Sequence, residues 1–139
     1  MTSRWYATDD DAKVRALYAV CHPGWPERPP HWFHAHPTLV LGGGVGMTSF
    51  TLSPMPDGLF VYLLDTCVHP DAQGKGYGAL LFRERERLVI ELGAVFLVGV
   101  TAPTNITMRH MLASAGFTQG ERVEHAYADG PADVWTRRI

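Results

Sequence analysis

Between Leu63 and Gly78 the chain reads LLDTCVHPDAQGKGYG, and this stretch holds most of the side chains suited to chemistry. Asp65 and His69 are a carboxylate and an imidazole. Either could take a proton from an amine, and Asp65 could instead pair with a cationic substrate. On an unbulged strand their spacing puts both side chains on one face. Gln73-Gly74-Lys75-Gly76-Tyr77-Gly78 follows, between an apolar run and a helix-like run. Strand, glycine-rich turn and helix in that order gather unpaired backbone N–H groups at one point, and such a point binds anions, phosphates above all. Gly74, Gly76 and Gly78 carry nothing beyond Cα, so a ligand can approach the main chain closely. Lys75 either adds its charge to a phosphate or stays solvated. Cys67 reads as a small buried hydrophobe rather than a nucleophile.

A second chemical cluster is HPGWPERPPHWFHAHP, residues 22–37, with five prolines, three bulky aromatics and four of the seven histidines. Proline density argues against a regular helix or central strand, so this is a loop. Trp25, Trp32 and Phe33 require burial or a ligand, which makes the loop ordered. With His31 and His34 they are candidates for contacting substrate, or they simply cover the first helix. His31, His34 and His36 have no acidic or thiol neighbour and lack the spacing of a zinc-binding helix, so no metal is expected.

These groups need a scaffold, and periodicity supplies one. Strands are expected at Arg4–Ala7, Thr38–Leu41, Val45–Leu52, Leu59–His69, Ala94–Val100, Phe117–Tyr127 and Ala132–Ile139. Helices are expected from a cap at Thr8, Asp9 or Asp10 to Cys21, over Gly76–Leu92, and over Asn105–Ala115. Tyr77, Leu81, Leu88 and Leu92 form the apolar face of the middle helix. Gly42-Gly43-Gly44 reads as a tight hairpin, and residues 53–58 and 129–131 as turns. The order β, α, β, β, β, α, β, α, β, β makes an α/β fold with a mixed sheet. Residues 59–100 form a right-handed parallel βαβ unit, with ligands at the carboxyl ends of its strands.

At 139 residues the chain suits one domain, residues 1–139. A net charge of -2 argues against a large nucleic-acid footprint, because the mixed charges of residues 83–87 make a solvated helix face rather than a basic field. No apolar run is long enough to span a membrane. Cys21 and Cys67 show neither metal-ligand nor disulfide spacing, which fits reduced thiols in the cytoplasm.

The glycine segment matches a family signature at each of its fixed positions: Arg or Gln, two residues, Gly, one residue, Gly or Ala. It lies downstream of Val68-His69-Pro70 and upstream of Asn105 and Gly116-Phe117. In these motifs the chain resembles the GCN5-related N-acetyltransferase (GNAT) superfamily. A phosphate loop of the Walker type is excluded, since Gly76 stands where Ser or Thr must follow the lysine. The resemblance implies a mostly antiparallel mixed sheet whose central parallel strand pair splays. It implies acetyl-CoA as cosubstrate, its diphosphate held by the amides of Gln73, Gly74, Lys75, Gly76, Tyr77 and Gly78. The pantetheine arm would pair with the backbone of Val68 and of Cys67 or His69, with Asn105 as a polar contact or only a helix cap. The acceptor would be a small-molecule amine or a peptide N-terminus, attacking directly in a ternary complex. A homodimer is compatible with the family. Many members carry a proton-donating Tyr seven residues after the Asn, where this chain has Leu112. An aliphatic residue there is similar to members related to ribosomal-protein N-terminal acetyltransferases, and leaves Tyr127, a loop histidine or water as the acid. A CoA-binding module without turnover, or transfer of another acyl group, are the rival readings.

Overall fold

The computed structural model describes residues 2–28, 32–127 and 130–139. Seven strands and four helices follow one another: β1 (Ser3–Trp5), α1 (Asp11–Cys21), α2 (Trp32–Ala35), β2 (Thr38–Leu41), β3 (Gly46–Met55), β4 (Gly58–Val68), α3 (Tyr77–Glu91), β5 (Ala94–Thr101), α4 (Ile106–Ser114), β6 (Thr118–Tyr127) and β7 (Gly130–Arg138). The strands make a mixed sheet, and the chain divides into two compact units.

The first unit comprises Met1–Thr51 and Asp65–Leu88. Here β1 pairs antiparallel with β2 from Ser3↔Leu41 to Trp5↔Leu39, and β2 with β3 from Thr38↔Ser49 to Leu41↔Gly46. The end of β4 lies beside β3, where Thr48 Oγ1 meets Asp65 O at 3.1 Å and Thr66 Oγ1 at 2.7 Å. Val14, Leu17 and Tyr18 project from α1 onto Phe33, Val40, Met47 and Cys67, which together form a buried apolar core. A Cβ added at Gly46 would sit 2.9 Å from Leu81 Cδ1 and 3.1 Å from Cys67 O, so glycine is needed here for close approach.

The second unit comprises Leu52–Leu64 and Val89–Ile139, with strand order β4, β5, β7, β6. The β4–β5 ladder is parallel and runs from Leu59↔Ala94 to Tyr62↔Val98. β5 and β7 pair antiparallel from Phe96↔Arg138 to Thr101↔Asp133, and β7 pairs with β6 through two register shifts. Asp133, buried in β7, is held by Arg109 (2.5 Å) and Arg122 (2.8 Å). These guanidiniums keep its carboxyl below the usual range, Arg122 contributing most.

Several elements differ from their sequence expectation. A helical turn, α2, forms inside the proline-rich loop because residues 31–36 contain no proline. Ser53, Pro54 and Met55 extend β3 instead of turning, on an exposed stretch where a proline nitrogen costs no buried hydrogen bond. The three glycines do join β2 and β3 as a hairpin, Leu41 pairing with Gly46, and the turn they make is 3-10. Asp10 is not a conventional cap: its Oδ2 reaches back to the Ala7 N–H (2.8 Å) while Arg4 grips both oxygens. Along α3 the buried stripe is Leu81, Phe82, Arg85 and Val89, whereas Leu92 is 52 % exposed. Of the expected face Leu81 is buried and Leu88 half-buried, and Arg85 joins the buried stripe.

Candidate functional site

The strand β4 and the start of α3 bring the chemical stretch together within the first unit. β4 ends at Val68, so His69 lies outside the strand, with φ -53 and ψ 134, as the cap of a 3-10 turn over Pro70–Ala72. Its Nδ1 accepts from the Asp71 N–H at 3.1 Å. The face expected to be shared by Asp65 and His69 assumed a strand that included His69, and β4 stops one residue earlier. Because Nδ1 accepts, the ring proton resides on Nε2. Asp71 Oδ2 stands 3.7 Å from the same Nδ1.

Past this turn, Gly74 and Gly76 adopt φ +80 and +83. No atom would come within 4 Å of a Cβ at either position, so backbone conformation rather than crowding requires glycine. Gly76 O accepts from Leu80 N at 3.0 Å, which makes Gly76 the N-cap of α3. A glycine cap has no side chain to satisfy the first-turn N–H groups, which leaves them to water or a ligand. Lys75 is exposed beside them. Gln73 Nε2 donates back to Val68 O at 3.1 Å, and the Cys21 thiol donates to the same carbonyl at 3.4 Å. The His69 N–H is committed to Val45 O at 2.8 Å. It is thus engaged within the fold.

The end of β4 also carries Asp65 and Cys67. Asp65 is ion-paired to Arg28 at 2.5 Å, a partner the sequence reading missed. Arg28 lies over the rings of Trp32 (4.2 Å) and Tyr18 (5.1 Å), and its backbone carbonyl accepts from Arg15 Nη1 at 2.6 Å. A cavity of about 210 Å³ lies alongside, lined among others by Arg15, Tyr18, Trp25, Arg28 and Phe33. Trp25 stacks on His22 at 4.2 Å, and Trp32 on His36 at 4.1 Å. Phe33 is buried in the core, so it forms a floor rather than an exposed wall. His31 lies outside the described residues, as do the side chains of His34 and Tyr127. Cys67 is 2 % exposed. Hydrogen bonding with Cys21 and burial push its thiol well above the ordinary range. Burial also lowers His22, whose Nε2 lies 3.4 Å from Cys67 Sγ.

Arg85 is fully buried and donates to Ser49 O at 3.1 Å. Burial lowers it to about 10, so it remains charged at neutral pH. In the second unit Asn105 caps α4, its Oδ1 accepting from Met108 N at 3.1 Å. Leu112 is buried and packs over Gly99, where it can move no proton.

Comparison with known proteins adds to this geometry. The model of the acetyltransferase (GNAT) family matches residues 4–117. No curated protein matches the chain in sequence. Among solved structures, Naa50 from Arabidopsis thaliana in complex with the bisubstrate analogue CoA-Ac-MVNAL is similar at TM-score 0.85 and 13% identity, covering 99% of this chain and 98% of that one. A putative phosphinothricin N-acetyltransferase is similar at TM-score 0.82 and 22% identity, covering 99% and 98%. Ribosomal-protein-alanine N-acetyltransferase from Brucella melitensis is similar at TM-score 0.81 and 17% identity, covering 100% of both chains. At these identities the likeness speaks for the fold.

Proposed function

The chain belongs to the acetyltransferase (GNAT) family, and on that premise we propose that it moves an acetyl group from acetyl-CoA to a primary amine on a small molecule or at a peptide N-terminus. The observation that carries the reading is the ligand-ready start of α3, with two glycines at positive φ and a cap without a side chain. There the amides of residues 73–78 would hold the diphosphate, with Lys75 near enough to add charge. The Val68 backbone would pair with the pantetheine arm as an added strand, once the exposed Gln73 side chain turns off the carbonyl. Asn105 is a further proposed contact, compatible with its cap. The complex of Naa50 with the bisubstrate analogue CoA-Ac-MVNAL supports the choice of cosubstrate.

Transfer joins the amine nitrogen to the acetyl carbon, breaks the carbon–sulfur bond and releases CoA as thiol. The amine must lose a proton and the thiolate must gain one. A buried thiol that stays protonated is no nucleophile, which favours direct attack over an acyl-Cys67 intermediate. His69 is the proposed base. For that role the ring proton moves to Nδ1, where Asp71 Oδ2 can receive its hydrogen bond after a small shift and orient the ring. Asp65, tied to a guanidinium, is better suited to binding charge than to taking a proton. Trp25, Trp32 and Phe33, with His31 and His34, remain the proposed acceptor-facing group.

Release of free thiol from acetyl-CoA, measured against a panel of monoamines, diamines and short peptides, tests the reading. Amine-dependent release is expected. Calorimetric binding of CoA without release by any amine would instead make the chain a CoA-binding module.

A further inference from the structure

We propose that Asp65 and the ring faces of Tyr18 and Trp32 form a subsite for a compact organic cation carried by the acceptor, and that Arg28 occupies this subsite until the acceptor displaces it. The proposal rests on the acetyltransfer reading above. It begins from what surrounds the Arg28 guanidinium: a carboxylate at 2.5 Å, one ring centre at 4.2 Å and another at 5.1 Å. A carboxylate with two aromatic faces inside about 6 Å is the chemistry that recognises ammonium and guanidinium groups. The Asp65 side chain is 15 % exposed, so it needs a cation beside it; a mostly buried carboxylate left unpaired is costly.

Arg28 is a displaceable occupant. Its main chain is pinned through its carbonyl to Arg15, so only side-chain torsions separate the closed subsite from an open one. The cavity of about 210 Å³ shares Tyr18 and Arg28 as walls, and gives room for a short carbon chain attached to the incoming cation. The attacking amine has to be neutral, so the cation held at Asp65 is a second group on the acceptor. The ligand class is therefore a diamine or an amine bearing a guanidinium.

The full chain, Arg28→Ala, and Arg28→Ala combined with Asp65→Asn are titrated calorimetrically with n-propylguanidinium chloride, and each is also titrated with CoA. Arg28→Ala should bind the probe at least tenfold more tightly than the unmodified chain, and Asp65→Asn should abolish that gain. In turnover, 1,4-diaminobutane should show a KM at least tenfold below that of n-butylamine, and Arg28→Ala should lower the diamine KM further. Equal probe affinity in all three proteins, or no preference for the diamine, overturns the proposal. Arg28→Met replaces Arg28→Ala should the latter not fold; failure of both to fold makes Arg28 a structural residue and also overturns it. Intact CoA binding with no gain in probe affinity defeats the subsite alone, whereas absence of CoA binding in the unmodified chain defeats the acetyltransfer reading.

Discussion

Asp10 answers two donors with one carboxylate: Arg4 on both oxygens and the Ala7 N–H on one. The Arg4 hydrogen bonds, chiefly, bring it from 3.8 to about 2. A folded value below the unfolded one adds stability that is fully present above about 3.8 and is lost as pH falls through about 2. The decline of Tm across that window should be shallower in Asp10→Asn than in the unmodified chain; equal slopes would contradict this pairing. Asn105→Ala, which removes a cap, should cost about 1 kcal/mol by urea denaturation. His69→Ala should lower kcat about a hundredfold with KM for acetyl-CoA little changed, a split readable from initial rates. At this scale legibility followed distance along the chain. The glycines, His69 and Asn105 were visible because a local motif frames each of them. Arg28 was not, because its carboxylate is 37 residues away and only the fold joins them. Arg85 was hidden for another reason: a buried charge breaks the apolar stripe by which helices are read.

Among the elements, β4 and α3 matter most, because the break between them holds the turn proposed to bind CoA. The order of strands and helices was legible from alternation and glycine punctuation, and the family model spans most of them. Boundaries were less so. Despite Pro70, alternation alone places the end of β4 at His69, one residue beyond its end at Val68. Pro54 erred in the other direction, since a proline at an exposed strand position leaves no sequence mark to separate it from a turn. Gly46 offers a clean test of close packing. Gly46→Ala should destabilise the chain by about 2 kcal/mol in denaturant melts, since Leu81 can yield but the Cys67 carbonyl cannot. A loss no larger than a few tenths would show that the approach is looser than described.

For the molecule as a whole, family membership supports acyl-CoA-dependent acetyl transfer in general and leaves the acceptor open, because a fold hosts many substrates; the loop residues are its proposed contacts. None of the helices in the described residues is long and apolar enough to cross a membrane. Direct attack requires both substrates together, so initial-rate plots should give intersecting lines, with no burst of thiol before amine is added; parallel lines would indicate an acyl-enzyme. The central claim is that main-chain amides at the start of α3 grip the diphosphate of CoA, and calorimetric titration of CoA into the unmodified chain and into Gly76→Ala tests it most directly. Gly76→Ala forces an alanine to φ +83 without a clash, so it should disturb the cradle and leave the core alone. The account predicts one site, with Kd on the order of micromolar for the unmodified chain and at least about tenfold weaker for the variant. No binding to the unmodified chain, or the same affinity in both, would contradict it.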